Sequence, residues 1–384
     1  MNNTFIKILI VTEFYPSTIN GDITGGVEAR VFHLSQRLAQ KGHQVSIVTT
    51  RRPGQSHTAT VGSVQVQRCG LPYVYSHTGH IFARLSFVFH ALFAGRQFPV
   101  DIVEGSSFLT YPVARILGLM RRVPSVYTYH ECWIGSWIRL KGILTGVLGE
   151  IWERLVLTLF PPAIIAVSHS TKLQLREKTG IIATAVVPNG VDVSQCQKIK
   201  VRQQKPLQIV TVSRLIPEKK VDVLVRAFAR IKHAHPTATL LIIGEGTEKK
   251  SLQQLARDLH CETSIMFAGK VTSAHDVLKR IKESVLFCLP SVREGFGIVV
   301  TEAMACGIPV LCSDIPSLRE ISNNGTAAML MTPDSVDDCA RKLRRLLADQ
   351  HIRKQLMLEG SRCVETYNWN TIVQQYELTL RRLL

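Results

Sequence analysis

The stretch Lys7–Phe14, "KILIVTEF", followed by Gly25–Thr50, "GGVEARVFHLSQRLAQKGHQVSIVTT", carries the fold in outline. The first segment reads as a buried strand, the glycine pair as a loop, the residues after it as an amphipathic helix, and "QVSIVTT" as a second strand. Strand, crossover helix and strand make a βαβ unit, the start of a parallel sheet. Working outward, "DIVEGSS", "PSVYTYHE" and "AIIAVSHS" are further apolar runs that end in polar or small residues. Such residues lie beyond the carboxyl ends of strands, where open α/β sheets gather their ligands.

After "VVPNGVDV" comes a polar, lysine- and glutamine-rich stretch, residues 194–205, which reads as a linker. A second α/β series begins at "LQIVTVSRL". It continues through a helix near residues 221–234, "ATLLIIGEG", a helix near 249–259, "SIMFAGKV" and "SVLFCLPS" to the helix after "EGFG". The expected organisation is α/β, with Rossmann-like domains at residues 1–193 and 206–365. Residues 366–384 are expected as a helix anchored by Trp369 and packed back towards the first domain. Neither first βα turn contains G-x-G-x-x-G, which counts against NAD or FAD.

Composition narrows the function classes. A chain of 384 residues, 46% hydrophobic, is long enough for two domains with well-buried cores. The start, "MNNTFIKILIVTEFYP", lacks the h-region and cleavage pattern of a secretory signal, which implies cytoplasmic synthesis and residence. Nine cysteines without a C-x-x-C pair, several inside apolar runs (Cys288, Cys306, Cys312), imply buried free thiols rather than a metal site or disulfide scaffold. A formal charge of +17 draws a protein towards nucleic acid, anionic lipid or anionic substrates. The basic residues are scattered and no nucleic-acid module is present, so nucleic acid is set aside and a membrane surface stays open.

Chemistry concentrates at Ser291–Val310, "SVREGFGIVVTEAMACGIPV". A helix begun by "GFG" offers unpaired N–H groups and the positive end of its dipole to phosphate. Glu302 lies too far along that helix to cap it, and an ionised carboxylate only accepts hydrogen bonds, so its natural partners are hydroxyls. Phosphate plus vicinal hydroxyls points to a nucleotide sugar. Two surface glutamates, Glu294 and Glu302, flanking a packed helix that exits through Gly307 and Pro309 would account for the same pattern structurally. Arg214 and Lys219, five positions apart after "IVTV", offer a fork and a point charge to a diphosphate, or else form a solvated basic loop.

Taken in order, GGVE, HE, VPNGVD, SRL-x-x-x-K, GEG and E-G-F-G-x-x-x-x-E-A-x-A-x-G-x-P-V resemble the retaining glycosyltransferases of family four over nearly the whole chain. The resemblance implies a GT-B fold, two Rossmann-like domains facing across a cleft. It implies that Arg214 and Lys219 neutralise the leaving nucleoside diphosphate. The backbone of Gly295, Phe296 and Gly297 would meet phosphate or donor sugar, Glu302 the ribose hydroxyls, and Glu294 the hydroxyls of the sugar. Gly25 and Gly26 would admit the diphosphate from the opposite wall, and His130 would contact the sugar near its reacting carbon. Gly244, Gly269 and Lys270 join the donor-binding set, with the loop "GKVT" at the nucleobase. Lys220 stands where the family often has glycine. Ser168 and Ser170 read as caps of the following helix rather than as substrate contacts.

The implied reaction moves a hexosyl unit from a nucleotide-diphosphate sugar, UDP-linked in preference to GDP- or ADP-linked, to a hydroxyl acceptor. Retention is expected by front-face displacement, with the leaving diphosphate helping to deprotonate the acceptor. No cofactor and no metal are expected, since no D-x-D motif is present. A sugar epimerase, a phosphorylase or a catalytically silent nucleotide-sugar binder would share the architecture.

Acceptors in this fold bind mainly the first domain, where residues 80–98 and 133–160 are unusually apolar. Leu144, Leu148, Ile151, Leu155 and Leu159 recur at helical spacing. Trp133, Trp137 and Trp152 with Arg139 and Lys141 have the composition of an interfacial helix, whereas Glu150, Glu153 and Arg154 argue against a span. Packing on the sheet is the alternative. Membrane contact would make a lipid-linked or cell-surface glycan acceptor the natural choice.

Overall fold

The computed structural model describes residues 5–19, 21, 23, 25–74, 80–158, 162–201, 204–205 and 207–384. The chain divides into two compact units, residues 1–189 with 369–384, and residues 190–368. The first unit contains β1 (Lys7–Val11), α1 (Gly26–Gln40), β2 (Gln44–Thr50), β3 (Thr58–Val61), β4 (Val64–Cys69), α2 (Ile81–Gly95) and β5 (Ile102–Gly105). It continues through α3 (Tyr111–Arg121), β6 (Ser125–Tyr129), α4 (Trp137–Lys141), α5 (Ile143–Thr158), β7 (Ala163–Ala166), α6 (His169–Thr179) and β8 (Ala185–Val186). Its eight strands lie in the order β3-β4-β2-β1-β5-β6-β7-β8, all parallel except β3.

Alternation along β1 sends its side chains to two separate cores. Ile8 and Ile10 pack with Val31, Leu34 and Leu38 of α1, whereas Leu9 and Val11 pack with Phe87 of α2 and Leu117 of α3. Helices therefore cover both faces, which is why the strand is a continuous apolar run. The β3–β4 hairpin turns at Gly62 (φ +58) and has too short and too polar a pattern to announce itself in the sequence.

The second unit begins with α7 (Val193–Lys198), then β9 (Gln208–Val212), α8 (Val221–Lys232), β10 (Thr239–Ile243), α9 (Lys249–Asp258), β11 (Ile265–Gly269), α10 (Ala274–Lys282) and β12 (Leu286–Leu289). It ends with α11 (Ile298–Ala305), β13 (Val310–Ser313), α12 (Pro316–Ile321), β14 (Met329–Met331), α13 (Val336–Ala348) and α14 (Gln350–Val364). Its six strands are parallel, in the order β11-β10-β9-β12-β13-β14. The stretch expected as a linker starts instead as α7. Asp192 caps that helix by accepting from the Gln195 N–H (2.9 Å), and Val193, Cys196 and Ile199 are buried. Their i, i+3 spacing anchors the segment to the second unit. Residues 202 and 203 of that stretch lie outside the described residues, as does Leu159. Eight of the nine cysteines are buried, and all are free thiols.

The last helix, α15 (Trp369–Arg381), belongs to the first unit. Trp369 lies against the His33 ring (5.4 Å between centroids) and under the Arg37 guanidinium (5.5 Å). Further along, the Tyr376 hydroxyl donates to the buried carboxylate of Glu104 in β5, which also accepts from Thr128 Oγ1 at 2.6 Å. Tyr376→Phe removes a donor from a carboxylate that water cannot reach. It is expected to cost about 1.5–3 kcal/mol, read from chemical denaturation, whereas a loss under about 0.5 kcal/mol would show that Glu104 is otherwise satisfied.

Candidate active site

In the second unit the strand order reverses between β9 and β12, so their carboxyl ends flank the crevice where an open α/β sheet binds ligands. Arg214 follows β9, Lys219 ends a 3₁₀ turn (Pro217–Lys219), and Ser291–Gly297 follow β12. The two loops are fastened to each other. The Val292 N–H donates to the Glu218 carbonyl (3.0 Å), and Lys219 Nζ reaches both the Arg293 carbonyl (3.3 Å) and Glu294 Oε1 (2.7 Å). The Lys219 and Glu294 side chains are only 12% and 14% exposed, so this pair is screened less than a surface ion pair. Sequence reasoning assigned the two residues to different parts of a donor and missed that they hold each other. Lys220 has φ +48, a left-handed conformation that explains the family's glycine, and its ammonium pairs with Asp334 (3.0 Å).

The glycines of "GEG" have a packing reason. A Cβ at Gly244 would lie 1.8 Å from the Ser213 carbonyl oxygen, and one at Gly246 would lie 2.1 Å from that of Leu215. Leu215 in turn donates its N–H to the Glu245 carbonyl (2.9 Å). The segment 244–246 thus seats the loop that carries Arg214. Gly269 (φ +68) accepts from the Gly244 N–H (2.9 Å), and Lys270 beside it is exposed. Phe296 turns inward, edge-on to Tyr367 at 5.4 Å, which leaves its backbone rather than its ring for a ligand. Gly295 is half-buried, and Gly297 (φ +102) opens α11 without a side-chain cap.

Glu302 stands in the second turn of α11. Burial, with no cation or donor among the described residues to offset it, pushes its carboxyl up to about 7. The hydroxyls of Ser213 and Ser291, each just beyond a strand flanking the reversal, are buried without a hydrogen-bond partner among the described residues. Only their place at strand ends would have flagged them in the sequence.

In the first unit the order reverses between β1 and β5. Gly25 precedes α1 in an extended conformation, followed by Gly26, and a Cβ on Gly25 would meet nothing within 4 Å. Packing therefore does not demand glycine there. Its neighbour Glu28 is buried and paired with Arg52 (2.9 Å). His130 follows β6. Burial and then the charge of Arg30 bring the imidazole down to about 3, so it is neutral at physiological pH, and its buried Nε2 has no partner among the described residues. Arg30 itself is fully buried, donating to the Pro188 carbonyl (2.6 Å) and to Asn189 Oδ1 (3.0 Å). Asn189 is thus tied into the first unit through that bond. Ser168 accepts from the Thr171 N–H (2.9 Å) as the cap of α6.

Comparison with known proteins covers both halves. Residues 24–195 match the family described as Glycosyltransferase Family 4, and residues 194–361 match Glycosyl transferases group 1. The chain is 27% identical to a glycogen synthase of Mycobacterium tuberculosis, over 96% of this chain and 92% of that protein. It is 28% identical to a phosphatidyl-myo-inositol mannosyltransferase of Mycolicibacterium smegmatis, over 92% and 89%. Its fold matches that of Anabaena HepE, solved in complex with UDP-glucose, with a TM-score of 0.74 at 19% identity over 98% of this chain and 100% of that one. The two family matches together span residues 24–361, and with two parallel-sheet α/β units of the GT-B type the chain belongs to glycosyltransferase family four.

Proposed function

We propose that the protein is a retaining hexosyltransferase that uses a nucleotide-diphosphate sugar, UDP-linked in preference to GDP- or ADP-linked, and a hydroxyl acceptor that is lipid-linked or part of a cell-surface glycan. The observation that carries the reading is the gathering of Arg214, Lys219, Glu294 and the uncapped start of α11 at one strand reversal. The diphosphate lies against Arg214, Lys219 and the amides of Gly295, Phe296 and Gly297, where it competes with Glu294 for the lysine. Glu294, released, accepts from hydroxyls of the sugar, and Glu302 from those of the ribose. The UDP-glucose held by HepE supports the choice of uracil, and the name of the mycolicibacterial relative supports a lipid acceptor.

Reaction on the front face lets an oxygen of the departing diphosphate take the proton of the attacking hydroxyl. The bond from the anomeric carbon to that diphosphate breaks as the bond to the acceptor oxygen forms. Charge developing on the diphosphate meets preorganised cations and amides, so the reading calls for neither a covalent intermediate nor a metal. His130, neutral, serves as a hydrogen-bond partner to the donor sugar rather than as an acid.

A thermal-shift panel of UDP-, GDP- and ADP-sugars tests the donor. One base series is expected to raise the melting temperature, and Arg214→Ala and Glu302→Ala to weaken that response. A folded protein stabilised by none of them would overturn the donor assignment. The anomeric configuration of the product, read by NMR, tests retention, and an inverted product would remove it.

A further inference from the structure

Helices α2 and α5 each bury one side on the sheet, through Phe87 and Ala91 in α2 and Val156 and Leu157 in α5. Their other sides are apolar as well. Phe82, Leu85 and Phe89 of α2 are 80%, 59% and 58% exposed, and Leu144, Leu148 and Ile151 of α5 are 78%, 61% and 58% exposed. The helical stripe that the sequence singles out in α5 is therefore its outward face. A helix that keeps a second apolar side uncovered marks an interaction surface.

Place and charge say what meets it. Both helices follow strands of the parallel sheet, so their first turns, with Phe82 and Leu144, lie at the carboxyl rim that also carries His130. Helix α2 has no acidic residue, and α4, packed on α5, adds exposed Arg139 and half-buried Lys141, whose ammonium lies over the Trp133 ring at 5.4 Å. The acids of α5 are turned to internal bonds. Glu153 is buried and accepts from the Tyr129 hydroxyl, the Trp137 indole and the Trp133 N–H, while Glu150 accepts from the Gly135 N–H (2.7 Å) and pairs with Arg154 (2.8 Å).

We propose that the first turns of α2 and α5, with α4, form a docking surface for an anionic lipid bilayer. The apolar side chains enter the acyl boundary, while Arg139 and Lys141 meet lipid phosphates. No helix among the described residues is long and apolar enough to cross a membrane, so these helices lie on it. A second copy fits the surface worse. A two-fold contact would set Arg139 and Lys141 near their symmetry mates on a chain of net charge +17. The proposed function enters only in what docking delivers, a lipid-borne hydroxyl to the rim of His130, and docking is measured without turnover.

The test is co-sedimentation of the full chain with vesicles of phosphatidylcholine alone or mixed with phosphatidylglycerol, at low and high salt. Wild type is expected to bind the mixed vesicles and to be released partly by salt. Phe82→Ser/Leu144→Ser is expected to lose roughly a hundredfold in partitioning. Arg139→Glu/Lys141→Glu is expected to lose the preference for the anionic lipid. Both variants should keep the nucleotide-induced thermal shift of wild type, which shows them folded and keeps the donor reading separate. Wild type left in the supernatant with both vesicle types overturns the proposal. So does binding that ignores lipid charge and salt, or a dimer by light scattering that Phe82→Ser/Leu144→Ser dissolves without any vesicle binding.

Discussion

Replacing Lys219 with methionine is expected to lower kcat/KM roughly a hundredfold to a thousandfold, with the chain still folded. Methionine keeps much of the aliphatic stem but supplies no charge to the diphosphate. The effect has a second source, because Glu294, held 2.7 Å from the ammonium and only 14% exposed, is left without its cation. An ionised carboxylate then faces an incoming polyanion. Lys219→Met/Glu294→Gln separates the two contributions. The double variant is expected to recover any stability lost by the single one, since no unpaired charge remains, but to stay catalytically impaired because the diphosphate still lacks its cation. Steady-state kinetics and thermal melts on the three proteins decide. Full activity in Lys219→Met would remove the residue from the reaction, and recovery of activity in the double variant would reduce its role to neutralising Glu294.

Glu302→Gln is expected to stabilise the ligand-free protein above neutrality while weakening nucleotide binding. Burial raises the carboxyl from 4.5 to about 7, so the folded chain holds this proton more tightly than the unfolded chain does. The resulting stability is full below 4.5 and is lost as pH rises through 7. Above that point the ionised carboxylate costs about 2 kcal/mol, allowing for the partial exposure of the side chain. The amide carries no such penalty. The melting temperature of Glu302→Gln relative to wild type should therefore rise between pH 5 and pH 8, by several degrees at the upper end on the scale of roughly 2–4 °C per kcal/mol. Donor affinity of wild type is expected to increase over the same interval, as the carboxylate becomes a pure acceptor for ribose hydroxyls, and that of Glu302→Gln to stay flat. A melting difference that ignores pH would show that Glu302 does not titrate there. A wild-type affinity independent of pH would take it off the ribose.

Local pattern alone determined a good deal about this protein. The apolar runs at Ile8–Val11 and Ile209–Val212 are strands, "EGFG" does lead into a helix, and the order of motifs is that of family four. These features are legible because strand and helix periodicity, glycine turns and cap residues are written within a few neighbouring positions. The short β3–β4 hairpin and α7 escaped because their signals are brief and half polar, and in α7 a polar composition hid the buried Val193, Cys196 and Ile199.

Tertiary structure decided the rest. Glu294 meets Lys219 only because two loops far apart in the chain leave adjacent strands, β9 and β12, at the same edge. Gly244 is required by the carbonyl of Ser213 on the neighbouring strand's loop, a contact that no motif records. His130 is neutral because burial desolvates it and Arg30, on another element, lies beside it, and Glu302 titrates near neutrality because burial desolvates it. The same holds for the leucines of α5, whose spacing marks a helix face but not the direction in which that face points. Sequence periodicity is a property of one segment, whereas pairing, burial and pKa belong to the neighbours that the fold brings to it.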